Sequence, residues 1–182
     1  MMLAPATAGP TDETEHVLKA LLERLDIDAD RRIGFVETRQ SDLLDESLEV
    51  HGILYRDNDR LIRKTTEPRE QTHALSERHV EIHTAPDRRR RFSLNRAPEL
   101  RVLRQALLAI LERDHGALEK HFSYAMDVAD DDHWTLALIP KDPATAERVE
   151  RFEILGVDRD IQGMRMRLDD GEVIETRFKP EA

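Results

Sequence analysis

Two segments of the chain repeat their apolar residues at the three- and four-residue spacing of an amphipathic helix. The first covers residues 11–26, with Asp12 at the N-cap position and Glu15 in the capping-box position. The second opens at Pro98, a residue suited to the first turn of a helix, and a shorter helical turn is predicted at 117–121. The two apolar stripes are Val17, Leu18, Leu21, Leu22 and Leu25, and Leu100, Leu103, Leu107, Leu108, Ile110 and Leu111.

Elsewhere the period of the pattern changes to two, which predicts β-strands. Val80 and Ile82 show it most clearly, because both of their neighbours are polar. The gaps between strands are short and carry turn residues, so the strands pair antiparallel; a parallel crossover needs a dozen or more residues. The predicted strands cover residues 32–40, 48–55, 60–66, 71–76, 79–84, 89–94, 122–128, 134–139, 148–157, 163–168 and 172–178.

This order of elements predicts the fold class. A helix, several strands, a second helix and several more strands indicate an α+β protein with one antiparallel sheet of about ten or eleven strands. A sheet this wide must curl, and the two apolar helices would cover its concave face. We expect a single domain over residues 11–180, preceded by a separate segment at 1–10.

Composition narrows the classes of function. The 182 residues include 28 Lys+Arg and 38 Asp+Glu, which gives a net charge of −10 and disfavours nucleic-acid binding. There is no Cys, so thiol catalysis, thiolate metal sites and disulfides are excluded. The sequence contains no run of about 18 apolar residues, the length that a membrane-spanning helix requires.

The first ten residues allow two interpretations. Ala6-Thr7-Ala8 has the small-x-small form of a signal-peptide cleavage site, although the charged and long apolar regions that should precede it are missing. The segment is therefore a signal-peptide remnant or a disordered Ala/Pro tail.

Apolar residues on neighbouring strands form the most informative pattern. Phe122/Tyr124/Met126, Trp134/Leu136/Leu138 and Met164/Met166/Leu168 would share one face of the sheet beneath the helices. An ordinary packed core explains this pattern. A cavity explains it too, because aromatic residues make up only 4% of the chain and Met adapts to flexible ligands.

A set of short motifs follows in the order and spacing of one known family. They are Gly34-Phe35-Val36-Glu37-Thr38-Arg39, Val50-His51-Gly52-Ile53-Leu54-Tyr55-Arg56, Glu67-Pro68, Val80-Glu81-Ile82-His83, Trp134-Thr135-Leu136-Ala137-Leu138-Ile139-Pro140, Ile161-Gln162-Gly163-Met164-Arg165 and Asp169-Asp170-Gly171. With the helix from Pro98, these motifs resemble the LolA/LolB superfamily of periplasmic lipoprotein carriers over residues 12–178. The chain looks like a divergent, LolA-like paralogue.

The resemblance implies an incomplete, half-open β-barrel with helices as a lid over an apolar cavity. It implies a periplasmic carrier that takes acyl chains of lipoproteins or other lipids from an inner-membrane transporter toward an outer-membrane receptor or membrane. The lack of an N-terminal Cys favours a LolA-like carrier over a lipid-anchored receptor. The family's Arg-Pro pair is replaced by Asn58-Asp59, so we expect Arg56 or Arg60 to latch the lid.

The candidate ligand-binding residues come from the second helix and the neighbouring strands. They are Leu103, Leu107, Ile110, Met126, Leu136, Leu138, Met164, Met166 and Leu168. We predict no metal, no cofactor, no nucleic-acid partner and a monomeric chain.

Two rival hypotheses remain. The sheet could be fully packed and serve as a non-enzymatic interaction module of envelope assembly, with the arginines at 88–91 and the acidic turns docking a partner protein. An enzyme such as a lipid hydrolase would need a nucleophile beside a base, and Ser123 with His121 and Asp127 is the nearest local set. No Gly-rich phosphate loop or nucleophile-elbow motif occurs, so we predict that the chain is not an enzyme.

Overall fold

The computed structural model describes residues 11–42, 46–129 and 131–179; the predicted N-terminal segment at 1–10 lies outside them. The helices are α1 (Asp12–Arg24), α2 (Pro98–Leu111), α3 (His115–His121) and α4 (Pro143–Ala146), with a 3-10 turn at Leu94–Arg96. The strands are β1 (Ile33–Gln40), β2 (Leu48–Asp57), β3 (Arg60–Glu67), β4 (Gln71–Leu75), β5 (His79–Ala85), β6 (Arg88–Ser93), β7 (Phe122–Val128), β8 (His133–Pro140), β9 (Val149–Val157), β10 (Asp160–Leu168) and β11 (Val173–Phe178). No helix of the described part is long and apolar enough to cross a membrane.

The first helix is capped by Thr11, so the prediction of Asp12 as the cap was wrong. The Thr11 hydroxyl accepts a hydrogen bond of 3.3 Å from the Thr14 backbone N–H, which is the geometry an N-cap requires. Asp12 lies inside the first turn instead, where its negative charge complements the helix dipole.

All eleven strands belong to one antiparallel sheet that does not close. Its order is β6-β5-β4-β3-β2-β1-β11-β10-β9-β8-β7, so each half of the chain forms a meander and β1 pairs with β11 at the centre. The predicted α+β class and the predicted strand number are both confirmed. Short connections explain this topology, because every strand except β1 and β7 pairs with the strand that precedes it in the chain.

The helices cover the concave face of the sheet. The buried face of α2 includes Val102, Ala106 and Ile110, and α2 contacts β4, β9, α3 and α4. The shared core extends from Leu18 on α1 to Ile174 on β11. Among the helices, α2 contributes the most residues to this cluster, so its position strongly affects how the concave face is filled.

Candidate functional site: two cavities under α2

Two cavities separate α2 from the sheet. The Arg63 cavity, about 540 Å³, lies under the start of α2 between strands β1–β4 and β10–β11. The Tyr55 cavity, about 600 Å³, lies under the end of α2 beside residues 26–34 and the first residues of β10. Leu54 on β2 contributes to the walls of both. Each volume is in the range of small-molecule binding sites.

Helix α2 is the roof of both cavities. Leu100 and Leu103 face the Arg63 cavity, whereas Leu107 and Ile110 face the Tyr55 cavity. Leu103 and Leu107 are four residues apart and therefore lie on one face of the helix, one turn from each other. Displacement of α2 would open both cavities at once.

A buried ion pair lies in the wall of the Arg63 cavity. Arg63 Nη2 donates to Glu37 Oε2 at 2.7 Å, and both side chains are about nine-tenths buried (10% and 8% exposed). Arg39 Nε donates to the second oxygen of Glu37 at 3.0 Å. The Arg63 guanidinium also lies 5.0 Å from the centroid of the Phe35 ring, in cation–π geometry. These contacts hold Arg63 at a fixed place beside the apolar wall.

Gly52 provides the room for this arrangement. On the inward face, Phe35 pairs with Gly52 across β1 and β2, and Gly52 stands two residues before Leu54, the partner of Arg63 on β3. A Cβ at this position would lie 2.5 Å from Phe35 Cζ and even closer to the Lys64 carbonyl oxygen. The absent side chain therefore allows the Phe35 ring to lie against the sheet.

His73 adds a neutral polar group to the same cavity. Burial, and then the nearby charge of Arg63, lowers the pKa of His73 to about 4, so the imidazole is neutral at neutral pH. Its Nδ1 is buried and has no hydrogen-bond partner among the described residues. Such an unpaired buried atom costs free energy that a ligand or a water molecule would recover.

The Tyr55 cavity is lined differently. Its wall includes Tyr55, whose ring lies 4.4 Å below the Arg32 guanidinium, and the apolar side chains of Ile27, Ile161 and Phe178. Charged residues from 26–32 and Lys179 also contribute to its lining. This cavity therefore combines an apolar wall with charged residues, but no buried ion pair is found among its described residues.

Polar contacts fasten the first half of α2 to the barrel. Glu99 pairs with Arg148 at 2.9 Å, and Arg148 also binds Asp169 and Asp170. These carboxylates raise the pKa of Arg148, Asp170 first. Arg101 donates to Asp142 at 3.1 Å, at the start of α4. The opening turns of the lid are therefore tied to β9 and α4.

The middle of α2 and the residue that follows it are fastened to the opposite half of the sheet. Arg104 donates to the Leu75 carbonyl at 3.1 Å and to the Asp59 carbonyl at 2.9 Å. Arg56 reaches Glu112, just after α2, at 3.1 Å. Arg60 pairs with Asp57 within the β2–β3 turn. Of the two candidate latches, the structure therefore places Arg56 against the end of the lid and Arg60 against its own turn.

Arg104 was missed by the sequence reasoning. Its partners are backbone carbonyls, which no residue pattern reveals, although it stands on the polar side of a helix whose other face is apolar. Arg113 was missed for the same reason; it donates to the Leu22 and Leu25 carbonyls at the end of α1. These arginines link α2 to its neighbours through main-chain acceptors.

The predicted binding residues divide into two groups. Leu103, Met164 and Met166 line the Arg63 cavity, and Leu107 and Ile110 line the Tyr55 cavity. The other four line neither of these two cavities: Leu136, Leu138 and Leu168 are at most 1% exposed in the packed core, and Met126 packs against it. Met126, Leu136 and Leu138 lie on β7 and β8, the strands that α1, α3 and α4 contact.

The groups considered for catalysis are not brought together. Ser123 pairs with the exposed Ile139, so it faces outward from the sheet, while its neighbours Phe122 and Tyr124 are buried. Among the described residues, no hydrogen bond joins Ser123 to His121 or Asp127. The local set therefore lacks the geometry of an activated nucleophile.

One cluster has the composition of a metal site. Glu15, His115 and Glu119 bring three ligand atoms within 4.8 Å of one another between α1 and α3. Lys19 already contacts Glu15, and this hydrogen bond lowers the pKa of Glu15. His115 Nε2 meets the Tyr124 hydroxyl at 3.1 Å, and burial raises the pKa of Tyr124 to about 12. Two of the three potential ligands, Glu15 and His115, are therefore already bonded to other side chains, Lys19 and Tyr124.

One family model, described as outer membrane lipoprotein carrier protein LolA-like, matches residues 11–181 of the chain. The chain belongs to this LolA-like family. The resemblance seen in the sequence motifs is therefore confirmed, including the divergence of the chain. No curated protein matches the chain.

Three solved structures show the same fold as this LolA-like chain. A LolA superfamily protein from Nitrosomonas europaea is 11% identical, with a TM-score of 0.51 and 92% of each chain covered. A domain described as an outer membrane lipoprotein-sorting protein, from Vibrio parahaemolyticus, is 10% identical, with a TM-score of 0.50 and coverage of 93% and 91%. A DUF1329 family protein from Desulfovibrio piger is 9% identical, with a TM-score of 0.50 and coverage of 94% and 92%.

Proposed function

We propose that this protein is a periplasmic carrier that shields acyl chains of lipoproteins or other lipids during transport toward the outer membrane. The observation that carries the proposal is the pair of cavities beneath one helix, α2, in a chain of the LolA-like family. An inner-membrane transporter would load the cargo, and an outer-membrane receptor or membrane would accept it. The chain would act as a monomer, without catalysis or a cofactor.

The size and lining of the cavities support acyl binding. Each methylene that leaves water contributes about 0.8 kcal/mol, so a chain of ten buried methylenes gains about 8 kcal/mol before the entropy of ordering is subtracted. Leu103, Met164 and Met166 offer a flexible apolar surface to such a chain in the Arg63 cavity. Leu107 and Ile110 offer a similar surface in the Tyr55 cavity.

Release of the cargo requires a second arrangement of the lid. Helix α2 is joined to the barrel at its polar side by side chains that are partly exposed, among them Arg56, Arg101 and Arg148. Ion pairs of this kind contribute only about 1 kcal/mol or less each. Rotation of α2 away from the sheet would break these weak polar contacts and expose its buried apolar face together with the acyl chain, so release would require an acceptor that binds what is exposed.

The rival interpretation, a packed interaction module without cargo, has less support. It requires a filled concave face, whereas the described residues leave about 540 and 600 Å³ under α2. The four arginines at 88–91 are exposed on the edge strand β6, where charge also discourages pairing with other sheets.

Binding of a polarity-sensitive fluorescent fatty acid and of its methyl ester tests the proposal. We expect saturable binding of at least one probe, weakened about tenfold or more in Leu103→Trp or Leu107→Trp, because an indole that displaces two methylenes costs about 1.6 kcal/mol. Ile139→Trp, on the exposed outer face of β8, is the matched control and should bind as the wild type does.

Thermal unfolding establishes that each variant is folded before binding is compared. If either buried variant fails to fold, Leu100→Trp, at a half-buried position of the Arg63 cavity, replaces it. The proposal fails if neither probe binds to the wild type, or if all tryptophan variants bind as tightly as the wild type.

A further inference from the structure

We propose that the Arg63 cavity recognises the anionic headgroup of an amphiphile, a carboxylate or a phosphate, while the attached acyl chain lies against the neighbouring apolar wall. This inference rests on the proposed carrier function and specifies the chemical class of its cargo. It assigns a polar recognition role to one of the two cavities, so that the cargo is selected by its head as well as by its chain.

The unused donors of Arg63 are the main observation. A guanidinium has five N–H donors, and only Nη2 of Arg63 has a hydrogen-bond partner among the described residues, Glu37. The other two nitrogens, Nε and Nη1, have no partner in that part of the chain and are not fully buried. Because Arg63 lines the cavity, these nitrogens are accessible from it. Carboxylate and phosphate oxygens match such a fork of donors in a bidentate way.

Two more guanidiniums stand at the mouth of the same cavity. Arg69 and Arg96 line it, both are exposed, and neither side chain has a hydrogen bond or ion pair within the described part of the chain. Two of the three carboxylates that line the cavity already form ion pairs. Glu37 pairs with Arg63 and Arg39, and Glu99 pairs with Arg148, so Glu67 is the remaining carboxylate of the lining. An incoming anion therefore meets free guanidinium donors at the mouth of the cavity, from Arg69 and Arg96, and in its wall, from Arg63.

The rest of the lining accommodates the apolar part of the ligand. Phe35, Leu54 and Phe152 form a wall that continues to the two methionines of β10, with Leu100 and Leu103 above. His73, beside the ion pair, has one ring nitrogen without a partner that a polar headgroup or its water would satisfy. A cavity with donors on one side and aliphatic and aromatic carbon on the other fits an amphiphile better than a hydrocarbon.

A comparison of matched probes tests the inference. Affinities are measured for a fluorescent fatty acid, its methyl ester and the alkyl phosphate of the same chain length, at about pH 8, where both acids are ionised. We expect the wild type to bind at least one of the anions about tenfold more tightly than the ester. Preference for the carboxylate or for the phosphate then distinguishes the two sources of negative charge.

Two variants are expected to change the ratio of anion to ester affinity in opposite directions. Glu37→Gln removes the carboxylate that competes for Arg63, so the ratio should rise. Glu37→Gln combined with Arg63→Met removes the donors without leaving an unpaired buried charge, so the ratio should fall toward one. Arg165→Gln, whose side chain pairs with Glu153 and Glu175, is the control and should keep the wild-type ratio.

The outcomes separate this inference from the carrier proposal. Binding of the ester at the same affinity as both anions, or a preference that survives in the double variant, overturns the headgroup role while leaving acyl binding intact. Failure of every probe to bind overturns the carrier proposal itself. If the double variant does not fold, Arg69→Gln with Arg96→Gln at the exposed mouth should lower the ratio, and an unchanged ratio there contradicts the inference.

Discussion

Arg63 on β3 donates a 2.7 Å hydrogen bond to Glu37 on β1, across the inward face of β2. Both side chains are buried, and both line the Arg63 cavity. A buried ion pair is weak support for stability, because the cost of taking both charges out of water offsets their attraction. The headgroup role that we propose for the Arg63 cavity would give this pair a function other than stability.

His73 makes stability depend on pH. Its pKa is about 4 in the folded protein and about 6.5 when unfolded, so between these values the unfolded chain binds more protons. The free energy of unfolding should therefore fall as the pH drops through this window, by about 3 kcal/mol at most.

Urea unfolding of the wild type and of His73→Phe at pH about 7 and about 4.5 measures this contribution. The variant should lose less stability on acidification than the wild type. His16→Gln, at an exposed position of α1, should behave as the wild type does. An identical loss in the wild type and His73→Phe would show that His73 is not the group responsible.

Arg104 should hold the lid more firmly than Arg56 does. Arg104→Met removes two hydrogen bonds that the half-buried guanidinium donates to backbone carbonyls. We expect the free energy of opening α2 to fall by about 1–2 kcal/mol. Amide exchange through this opening should then be about 5- to 30-fold faster. Arg56→Met removes a partly exposed ion pair and should cost less than about 1 kcal/mol.

Hydrogen exchange followed by mass spectrometry reports on both variants in peptides from α2. Arg60→Met is the matched control, since Arg60 pairs only within the β2–β3 turn among its described contacts, and it should leave exchange of α2 unchanged. Faster exchange in Arg60→Met than in Arg104→Met would contradict this assignment of the latch.

Gly52→Ala should destabilise the barrel. The added methyl group would approach Phe35 Cζ to 2.5 Å and would press on the Lys64 carbonyl oxygen, so we expect a loss of about 1–3 kcal/mol in urea unfolding. Gly116→Ala is the control: it lies in α3 with its nearest neighbour at 3.4 Å, and alanine favours a helix by about 1 kcal/mol. Equal stability of the two variants would show that the Phe35 wall tolerates a side chain at position 52.

Leucines of the packed core and of the cavity wall should respond differently to truncation. Leu138 is fully buried in the core, so Leu138→Ala should cost about 3–5 kcal/mol through the new void. Leu103 already borders the Arg63 cavity, so Leu103→Ala should cost at least about 1 kcal/mol less. Chemical unfolding measures the loss of stability in both variants. A larger loss in Leu103→Ala than in Leu138→Ala would show that Leu103 belongs to the packed core and not to a cavity wall.

The strands and hairpins were predictable because their signals are local. Alternation with a period of two locates β5 and β8, and Asp169-Asp170-Gly171 marks a turn in which Gly171 adopts a positive φ of 82°. The order of these elements was sufficient for the family, as the match over residues 11–181 confirms. The cap of α1 was wrong by one residue because Thr11 and Asp12 have equivalent capping chemistry.

The polar part of the site was not predicted. Glu37 and Arg63 carried a signal, since each is charged but in phase with an inward apolar neighbour, Phe35 or Leu61. Alternation alone could not reveal that the two meet, because that depends on the register of three strands. Likewise, apolar patterning could not separate Met164, which lines a cavity, from Leu136, which is packed in the core.

Native mass spectrometry tests most directly whether the space under α2 holds an acyl ligand. The wild type and the Leu103→Trp/Leu107→Trp double variant would be produced in a Gram-negative periplasm, incubated with lipid vesicles and compared, with organic extraction of bound material. Our account predicts an added mass from an acyl-containing compound on the wild type and its loss from the folded variant. A wild-type protein that carries no acyl compound after this incubation would contradict it.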